Sequence, residues 1–473
     1  MDISVIGCGY LGAVHAACMA SLGHHVIGVE RDPERAARLN RGDPVFFEPG
    51  FAEMLQSGLA AGRLHFTTDV GTVAGSRVHF LCVGTPQRAD GDAADLDALH
   101  TAVNDLVPQL RPGDVVVGKS TVPVGTAQHL AALIRRADPD TALVWNPEFL
   151  REGTAVDDTL HPDRLVYGVC AEVGHADGEQ TLDPVAVLDS VYADQLADNT
   201  PRMITDYATA ELVKVAANSF LATKISFINA MADVCEATGA DVHLLADAIG
   251  QDPRIGRQFF NAGLGFGGGC LPKDVRAFRV RAEELGATEP AAFLQQVDMI
   301  NSRRPLAAAD LAERMLDGRL AGRRIAVLGA TFKPDSDDIR QSPGLATATL
   351  LQARGATVVV TDPEGTDNAR KAHPDLDLTD DLELALTGAD AVLVATDWAA
   401  FRELDPSWVA GLVSGRVIID GRDILDRATW AAAGWTVATL GRPTLQFSPA
   451  VESAQVQNCR VGRVGLEPTT KRL

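Results

Sequence analysis

The run Ile3-Ser4-Val5-Ile6-Gly7-Cys8-Gly9-Tyr10-Leu11-Gly12, followed by an apolar stretch to Leu22 and then Val26-Ile27-Gly28-Val29-Glu30, decides the fold of the first half of the chain. A short apolar segment, a glycine turn, a helix-length apolar stretch and a second short apolar segment fit into about 30 residues, the span of a βαβ unit. Parallel strands are covered on both faces, so they carry continuous apolar runs instead of alternation. From Ile3 to Val29 there is no Asp, Glu, Lys or Arg, which raises the alternatives of a membrane span or a signal sequence. Both are set aside. Glycines at 7, 9, 12, 23 and 28 cut the run into strand, turn, helix, turn and strand, and Asp2 stands where a signal peptide carries Lys or Arg.

Gly7, Gly9 and Gly12 have the G-x-G-x-x-G spacing at a strand-to-helix junction. The first glycine makes the tight turn, the second lets a pyrophosphate approach the backbone, and the third lets the helix pack on the strand. The helix N-terminal N–H groups then face the anion. Glu30, at the end of the second strand, is placed to accept from adenosine ribose hydroxyls and to repel a 2′-phosphate, which predicts NAD over NADP.

Outward from this unit, Val78 to Val83, Val115 to Gly118 and Ala142 to Trp145 read as further buried strands. They predict an N-terminal Rossmann-type doubly wound parallel α/β sheet over residues 1–204. Residues 207 to 237 lack Pro and Gly and are rich in Ala, with Leu, Lys and Glu among them, predicting one helix about 45 Å long. Helical texture continues, giving an all-α region over 205–318. Ile325 to Leu328, Thr357 to Thr361, Ala391 to Ala395 and Val417 to Asp420 open a second, smaller Rossmann-like α/β domain over 319–449. The polar tail 450–473 is expected to be disordered. Three domains suit a chain of 473 residues.

A net charge of −21, from 42 Lys and Arg against 63 Asp and Glu, argues against wrapping a polyanionic nucleic acid. The seven cysteines, at 8, 18, 82, 170, 235, 270 and 459, are odd in number and lack C-x-x-C spacing. They indicate neither a disulfide framework nor a thiolate metal site and suit a reducing cytoplasm.

Three segments fall at strand ends, where open α/β sheets bind ligands: Cys82 to Pro86, Lys119 to Thr126, and Asn146-Pro147-Glu148-Phe149-Leu150-Arg151-Glu152-Gly153. Lys214 and Asn218, four apart on the long helix, share a face among apolar neighbours, where a lysine could sit beside a developing oxyanion. The segment Gly263-Leu264-Gly265-Phe266-Gly267-Gly268-Gly269-Cys270 strips side chains from the backbone and delivers one thiol flanked by Lys273 and Asp274. A nearby cation favours the nucleophilic thiolate. The other cysteines read as small buried apolar residues. Gly329 to Arg340 follows the first strand of the second sheet without a G-x-G-x-x-G pattern; its Lys333 and Arg340 could clamp a second phosphate-bearing molecule.

Seven ordered motifs, GCGYLG, CVGTP, KSTVPVGT, NPEFLREG, ELVKVAANSF, GFGGGCLPKD and ATFKPDSDDIRQSP, resemble the UDP-glucose/GDP-mannose dehydrogenase family over about residues 1 to 443. The resemblance implies oxidation of the C6 hydroxyl of UDP-glucose by two successive hydride transfers to NAD, with a homodimer built by the central region. It makes Cys270 the residue that captures the aldehyde as a thiohemiacetal and carries the resulting thioester. Lys214 would stabilise oxyanions, Asn218 would orient the sugar, and Asp274 with Thr121 would position water or shuttle a proton. Glu148 is the preferred base for thioester hydrolysis, with Glu152 near cofactor and sugar and the reverse assignment open. By the same resemblance, Gly7, Gly9, Tyr10, Leu11, Gly12, Glu30, Arg35, Thr85, Thr121, Glu152, Lys273 and Arg340 serve NAD. The substrate set is Glu148, Phe149, Leu150, Arg151, Glu152, Lys214, Asn218, Phe259, Phe260, Asn261, Ala262, Gly263, Gly267 and Lys333. Arg254 would reach the neighbouring subunit's substrate, and Arg442 is a further phosphate candidate.

Two residues depart from the family pattern: Gly269 stands where serine is common, and Glu30 replaces the common aspartate. The segment His161 to Val166 resembles the glucose enzymes more than the GDP-mannose ones. Another nucleotide sugar, a two-electron hydroxyacid-type dehydrogenase and a non-catalytic sensor stay open on the residues alone.

Overall fold

A computed structural model describes residues 1–170 and 183–446. The expected disordered tail and Cys459 lie outside the described residues. Eight strands build the first sheet: β1 (Asp2–Ile6), β2 (His25–Val29), β3 (Leu64–Thr67), β4 (Val78–Leu81), β5 (Val115–Gly118), β6 (Ala142–Trp145), β7 (Leu165–Val169) and β8 (Arg202–Asp206), in the order β3-β2-β1-β4-β5-β6-β7-β8. The chain reverses direction across the sheet between β1 and β4, the switch point at which doubly wound sheets bind ligands. The sheet is not wholly parallel. β7 meets β6 antiparallel through the pair Trp145 and Gly168, and β8 then runs parallel to β7.

The G-x-G-x-x-G logic is visible in the packing of the first helix, Tyr10–Ser21. A Cβ at Gly12 would stand 1.9 Å from the carbonyl oxygen of Gly7 and 3.1 Å from the side chain of Cys82, so only glycine lets this helix lie against β1 and β4. The helix is buried from Gly12 to Ala20. One face of the sheet is filled by that helix with Phe51, Leu55 and Phe66; the other carries Leu99, Leu130, Ile134 and Trp145.

β8 leads directly into a helix running from Tyr207 to Thr238, capped by Asp206 at its start and by Gly239 in the left-handed region at its end. At 1.5 Å per residue it spans roughly 48 Å. It packs on the first sheet at one end and on helices Leu271–Glu284 and Thr288–Ser302 beyond. A small core of Ala222, Phe266, Val275, Leu294 and Val297 ties these helices to the glycine-rich segment.

The second sheet is parallel throughout: β9 (Arg324–Leu328), β10 (Thr357–Thr361), β11 (Asp377–Leu378), β12 (Ala391–Val394), β13 (Val417–Asp420) and β14 (Thr436–Thr439), in the order β11-β10-β9-β12-β13-β14. Among the described residues no helix is long and apolar enough to cross a membrane.

Candidate active site

The carboxyl ends of both sheets face one cleft, and the glycine-rich segment runs between them. From the first sheet come the loops after β1, β4, β5 and β6; from the second come the loops after β9 and β13. Three contacts close the gap. Lys333 donates its ammonium to the backbone carbonyl of Glu152, Arg340 pairs with the Glu152 carboxylate at 3.2 Å, and the Gly268 N–H donates to the carbonyl of Arg340 at 2.8 Å.

The glycine-rich strip is held by backbone approach and by side chains that copy backbone pairing. Asn301 both accepts from the Phe266 N–H and donates to the Phe266 carbonyl, each at 2.8 Å. Gly263 donates to Asn229 Oδ1 at 2.9 Å, and Arg304 donates to the Gly263 carbonyl at 3.0 Å. A Cβ at Gly267 would meet the carbonyl oxygen of Gln341 at 2.2 Å, so that position admits no side chain.

The strip delivers Cys270 to the N-terminus of helix Leu271–Glu284. It is the exposed cysteine of the six described; Cys8, Cys18, Cys82 and Cys235 are buried and Cys170 is half-buried. Its sulfur opens to the cleft yet has enough protein around it that desolvation pushes the thiol up to about 11; Lys214 lowers it, and Glu148, Asp274 and Glu152 raise it further. The expectation of a resting thiolate is therefore corrected: the resting group is a thiol. Lys273, the cation adjacent in sequence, spends its charge on Asp274 at 2.5 Å.

Lys214 and Asn218 sit side by side on the long helix and are both buried. Lys214 pairs with Glu148 Oε1 at 2.8 Å and lies over the Phe149 ring, which Arg164 stacks from 3.8 Å. Burial alone would lower the lysine's pKa, but Glu148, Cys270 and Asp274 together hold it above its ordinary value, so it stays an ammonium. Asn218 donates to Asp274 Oδ2 at 2.7 Å. The Glu148 carboxylate also accepts from the Leu150 N–H at 2.8 Å. Burial, then Asp338, pushes the Glu152 carboxyl up to about 7.

The cofactor end has the features a dinucleotide needs. Glu30 is buried at the end of β2, with one oxygen accepting from the Asp32 N–H at 3.1 Å. Arg35 nearby keeps a buried Nε with no partner. Thr85 donates to the carbonyl of Thr121 at 2.6 Å, joining the loops after β4 and β5. A residue missed in the sequence is Glu48, buried in the run Phe46-Phe47-Glu48-Pro49-Gly50. It accepts from the Tyr10 hydroxyl, from Gly153 N–H at 2.6 Å and from Ala155 N–H at 2.6 Å, so it joins the glycine fingerprint to the NPEFLREG loop. An acid set between aromatics and a Pro-Gly turn was the available signal.

Some predicted residues lie apart from the cysteine. Arg151 pairs with Asp158 at 2.6 Å, and Arg254 is exposed and pairs with Asp252 at 2.6 Å. Asn261 accepts from Arg257 at 2.6 Å; Phe259 is exposed with φ +60°, while Phe260 is buried against Phe227. Arg442 is committed to two carboxylates, Asp241 at 3.0 Å and Asp423 at 2.6 Å. A second guanidinium that enters the strip, beside that of Arg304, is Arg422, overlooked in the sequence. Among the described residues its hydrogen bonds go to carbonyls, of Ala395 at 2.7 Å, Gly265 at 2.8 Å and Phe332 at 3.3 Å.

The chain matches the UDP-glucose/GDP-mannose dehydrogenase family in all three of its parts, the NAD binding domain over residues 1–193, the central domain over 208–303 and the UDP binding domain over 326–427. It belongs to that family. It is an NAD-dependent nucleotide-sugar dehydrogenase, an oxidoreductase. A UDP-glucose 6-dehydrogenase of Rhizobium meliloti (strain 1021) is 40% identical over 446 residues, covering 94% of this chain and 100% of the relative. The solved UDP-glucose dehydrogenase of Pyrobaculum islandicum is 37% identical with a TM-score of 0.80, over 90% of this chain and 95% of that one. A UDP-D-ManNAc dehydrogenase of Pyrococcus horikoshii has the same TM-score, 0.80, at 27% identity, over 93% and 99%. The fold is thus shared across sugars, and the identity leans to glucose.

Proposed function

We propose that the enzyme oxidises UDP-glucose to UDP-glucuronate in two hydride transfers, with Cys270 holding the substrate carbon between them. The observation that carries this reading is the exposed thiol at a helix N-terminus, at the end of a side-chain-free strip, beside the Lys214 and Glu148 pair. NAD, when bound, accepts a hydride from the sugar carbon. A second hydride needs a tetrahedral carbon that still bears hydrogen, and an aldehyde lacks one. Addition of the Cys270 thiol restores it as a thiohemiacetal, the sulfur's proton ending on the new hydroxyl, and loss of its hydride and hydroxyl proton leaves a thioester. The Lys214 ammonium stabilises the oxyanion of each tetrahedral species. Glu148 takes the proton from the water that hydrolyses the thioester. Asn218 holds Asp274 in place for proton transfer at the sulfur. Lys333 and the neighbouring strip contact the nucleotide sugar. Sugar choice follows the close relatives that share about two fifths of their residues with this chain.

The active unit is a homodimer. Phe220, Phe227 and Val234 recur every seven residues on the long helix and stand 66%, 46% and 52% exposed, a stripe on one helix face that a second copy would cover. Exposed Arg254 is then free to reach the partner's cleft. Six free cysteines among the described residues suit a cytoplasmic setting.

The test is the yield of NADH per sugar with UDP-glucose, UDP-N-acetylglucosamine, UDP-N-acetylmannosamine and GDP-mannose. Two per UDP-glucose, falling to one or none in Cys270→Ser, is expected. A yield of one with every sugar overturns the mechanism.

A further inference from the structure

Behind the loop that carries Glu148 lies a second cavity, and none of Cys270, Lys214, Asn218 or Asp274 lines it. Its volume is about 50 Å³, room for on the order of three ordered waters. Its lining includes His15 of the first helix, Lys119, Asn146, Glu148 and the exposed Asp163.

His15 is 1% exposed, and both ring nitrogens lack a hydrogen-bond partner among the described residues. Its ring stands edge-on to Phe80 at 4.4 Å, and burial, with Lys119 nearby, pulls its pKa well below the ordinary value. A neutral imidazole has one donor and one acceptor, and here both are unspent. Buried polar groups left without protein partners are uncommon and are normally met by ordered water.

Lys119 is the second unusual group. It is buried at the end of β5 and forms no ion pair among the described residues. Its ammonium donates to Asn146 Oδ1 at 2.9 Å and to the Tyr192 hydroxyl at 3.1 Å, and that hydroxyl donates on to Asn146 Oδ1 at 2.8 Å. An ammonium has three protons, so one remains for the cavity. Burial pulls Lys119 down to about 8, within reach of proton exchange.

We propose that this cavity is a rear water port for the hydrolytic step, holding ordered water between His15, Lys119 and Glu148 and carrying the released proton out at Asp163. The inference rests on Glu148 being the base of thioester hydrolysis. In that step the oxygen of one water adds to the thioester carbonyl, the C–S bond breaks, and the sulfur returns to the thiol. The product ionises to a carboxylate, so this step consumes one water and releases one proton, in addition to the proton each of the two oxidations releases. The cavity reaches Glu148 without being lined by Cys270, Lys214, Asn218 or Asp274, which makes it a separate approach to that base.

The test uses the full-length enzyme with UDP-glucose and excess NAD, acid-quenched and analysed for a covalent adduct on Cys270. His15→Leu keeps volume but removes both ring nitrogens. Thr159→Leu, in the outer wall, fills the space. Each is expected to raise the adduct fraction and lower kcat by about tenfold or more, with KM falling in step, while kcat/KM and the initial burst of NADH keep their wild-type values. If His15→Leu fails to fold, Thr159→Leu decides alone. A folded variant that turns over at the wild-type rate without added adduct overturns the port, and so does one whose NADH burst slows equally. Failure of the underlying reading looks different: Glu148→Gln would then accumulate no adduct.

Discussion

Replacing Gly267 by alanine tests whether the glycine-rich strip exists to let backbone meet backbone. The new Cβ would stand 2.2 Å from the carbonyl oxygen of Gln341 and 2.9 Å from Cδ of Pro343. Both atoms belong to the rigid entry of helix Pro343–Ala353, where Ser342 caps the first turn, and neither can swing aside. Gly267 does not have a left-handed φ, so the substitution probes contact without backbone strain. The strip must retreat by roughly 1 Å to reach ordinary contact, and a misplacement of that size at a reacting group costs on the order of 10²-fold in rate, ~2.7 kcal/mol. Gly269→Ala is the control. The atoms nearest its Cβ are those of the Arg340 guanidinium, from 2.3 Å, the far end of a flexible side chain. Initial rates of NADH formation with UDP-glucose, alongside melting curves, should show kcat/KM falling about 100-fold in Gly267→Ala and only several-fold in Gly269→Ala. Wild-type efficiency in Gly267→Ala, or equal damage in the two variants, would refute the reasoning.

Three further outcomes follow from the charges and the exposed helix face. Lys214 is the cation that lowers the Cys270 thiol, so Lys214→Met should slow alkylation of Cys270 by iodoacetamide at pH 8; an unchanged rate contradicts the electrostatics. The Glu152 carboxyl, raised by burial and then Asp338 from 4.5 to about 7, binds its proton more tightly in the folded state than in the unfolded chain. Stability that this proton confers is present below pH 4.5 and lost as pH rises to about 7. The melting temperature of Glu152→Gln relative to wild type should therefore climb across that window and level off above it, whereas a flat difference would count against the shift. Finally, Phe220→Glu with Phe227→Glu should yield monomers by light scattering, and a dimer that persists removes the long-helix stripe as the interface.

Strands β1, β2, β5, β6, β10 and β13 were legible because each is buried on both faces and reads as an unbroken apolar run. The strands that escaped lack that signature. β3 alternates Leu64-His65-Phe66-Thr67 at a sheet edge, β8 is exposed over most of Arg202 to Asp206, and β11 has only two residues. The antiparallel turn of β7 depends on pairing, which no single run of residues encodes. In the site, residue types were legible and their partners were not. Cys270, Lys214 and Asn218 announce themselves by spacing. That Lys273 neutralises Asp274 while Lys214, 56 positions from Cys270, tunes the thiol follows only from three-dimensional packing. Arg442 and Arg422 make the same point: both are arginines beside acidic residues, yet one is locked between Asp241 and Asp423 and the other spans three carbonyls across the strip.

Solvation was the property furthest from view, and it changes the chemistry. A sulfur held near pKa 11 rests as a thiol, so attack on the aldehyde must be coupled to removal of its proton. Asp274 lies close enough to act on Cys270 electrostatically, with its two oxygens held by Asn218 and Lys273. The Lys214 ammonium, already paired with Glu148, can meet a new negative charge on the substrate oxygen without the site gaining net charge first. Keeping the sulfur protonated until the aldehyde arrives also protects the exposed cysteine from alkylation and oxidation while the cleft is open, since both reactions consume the thiolate.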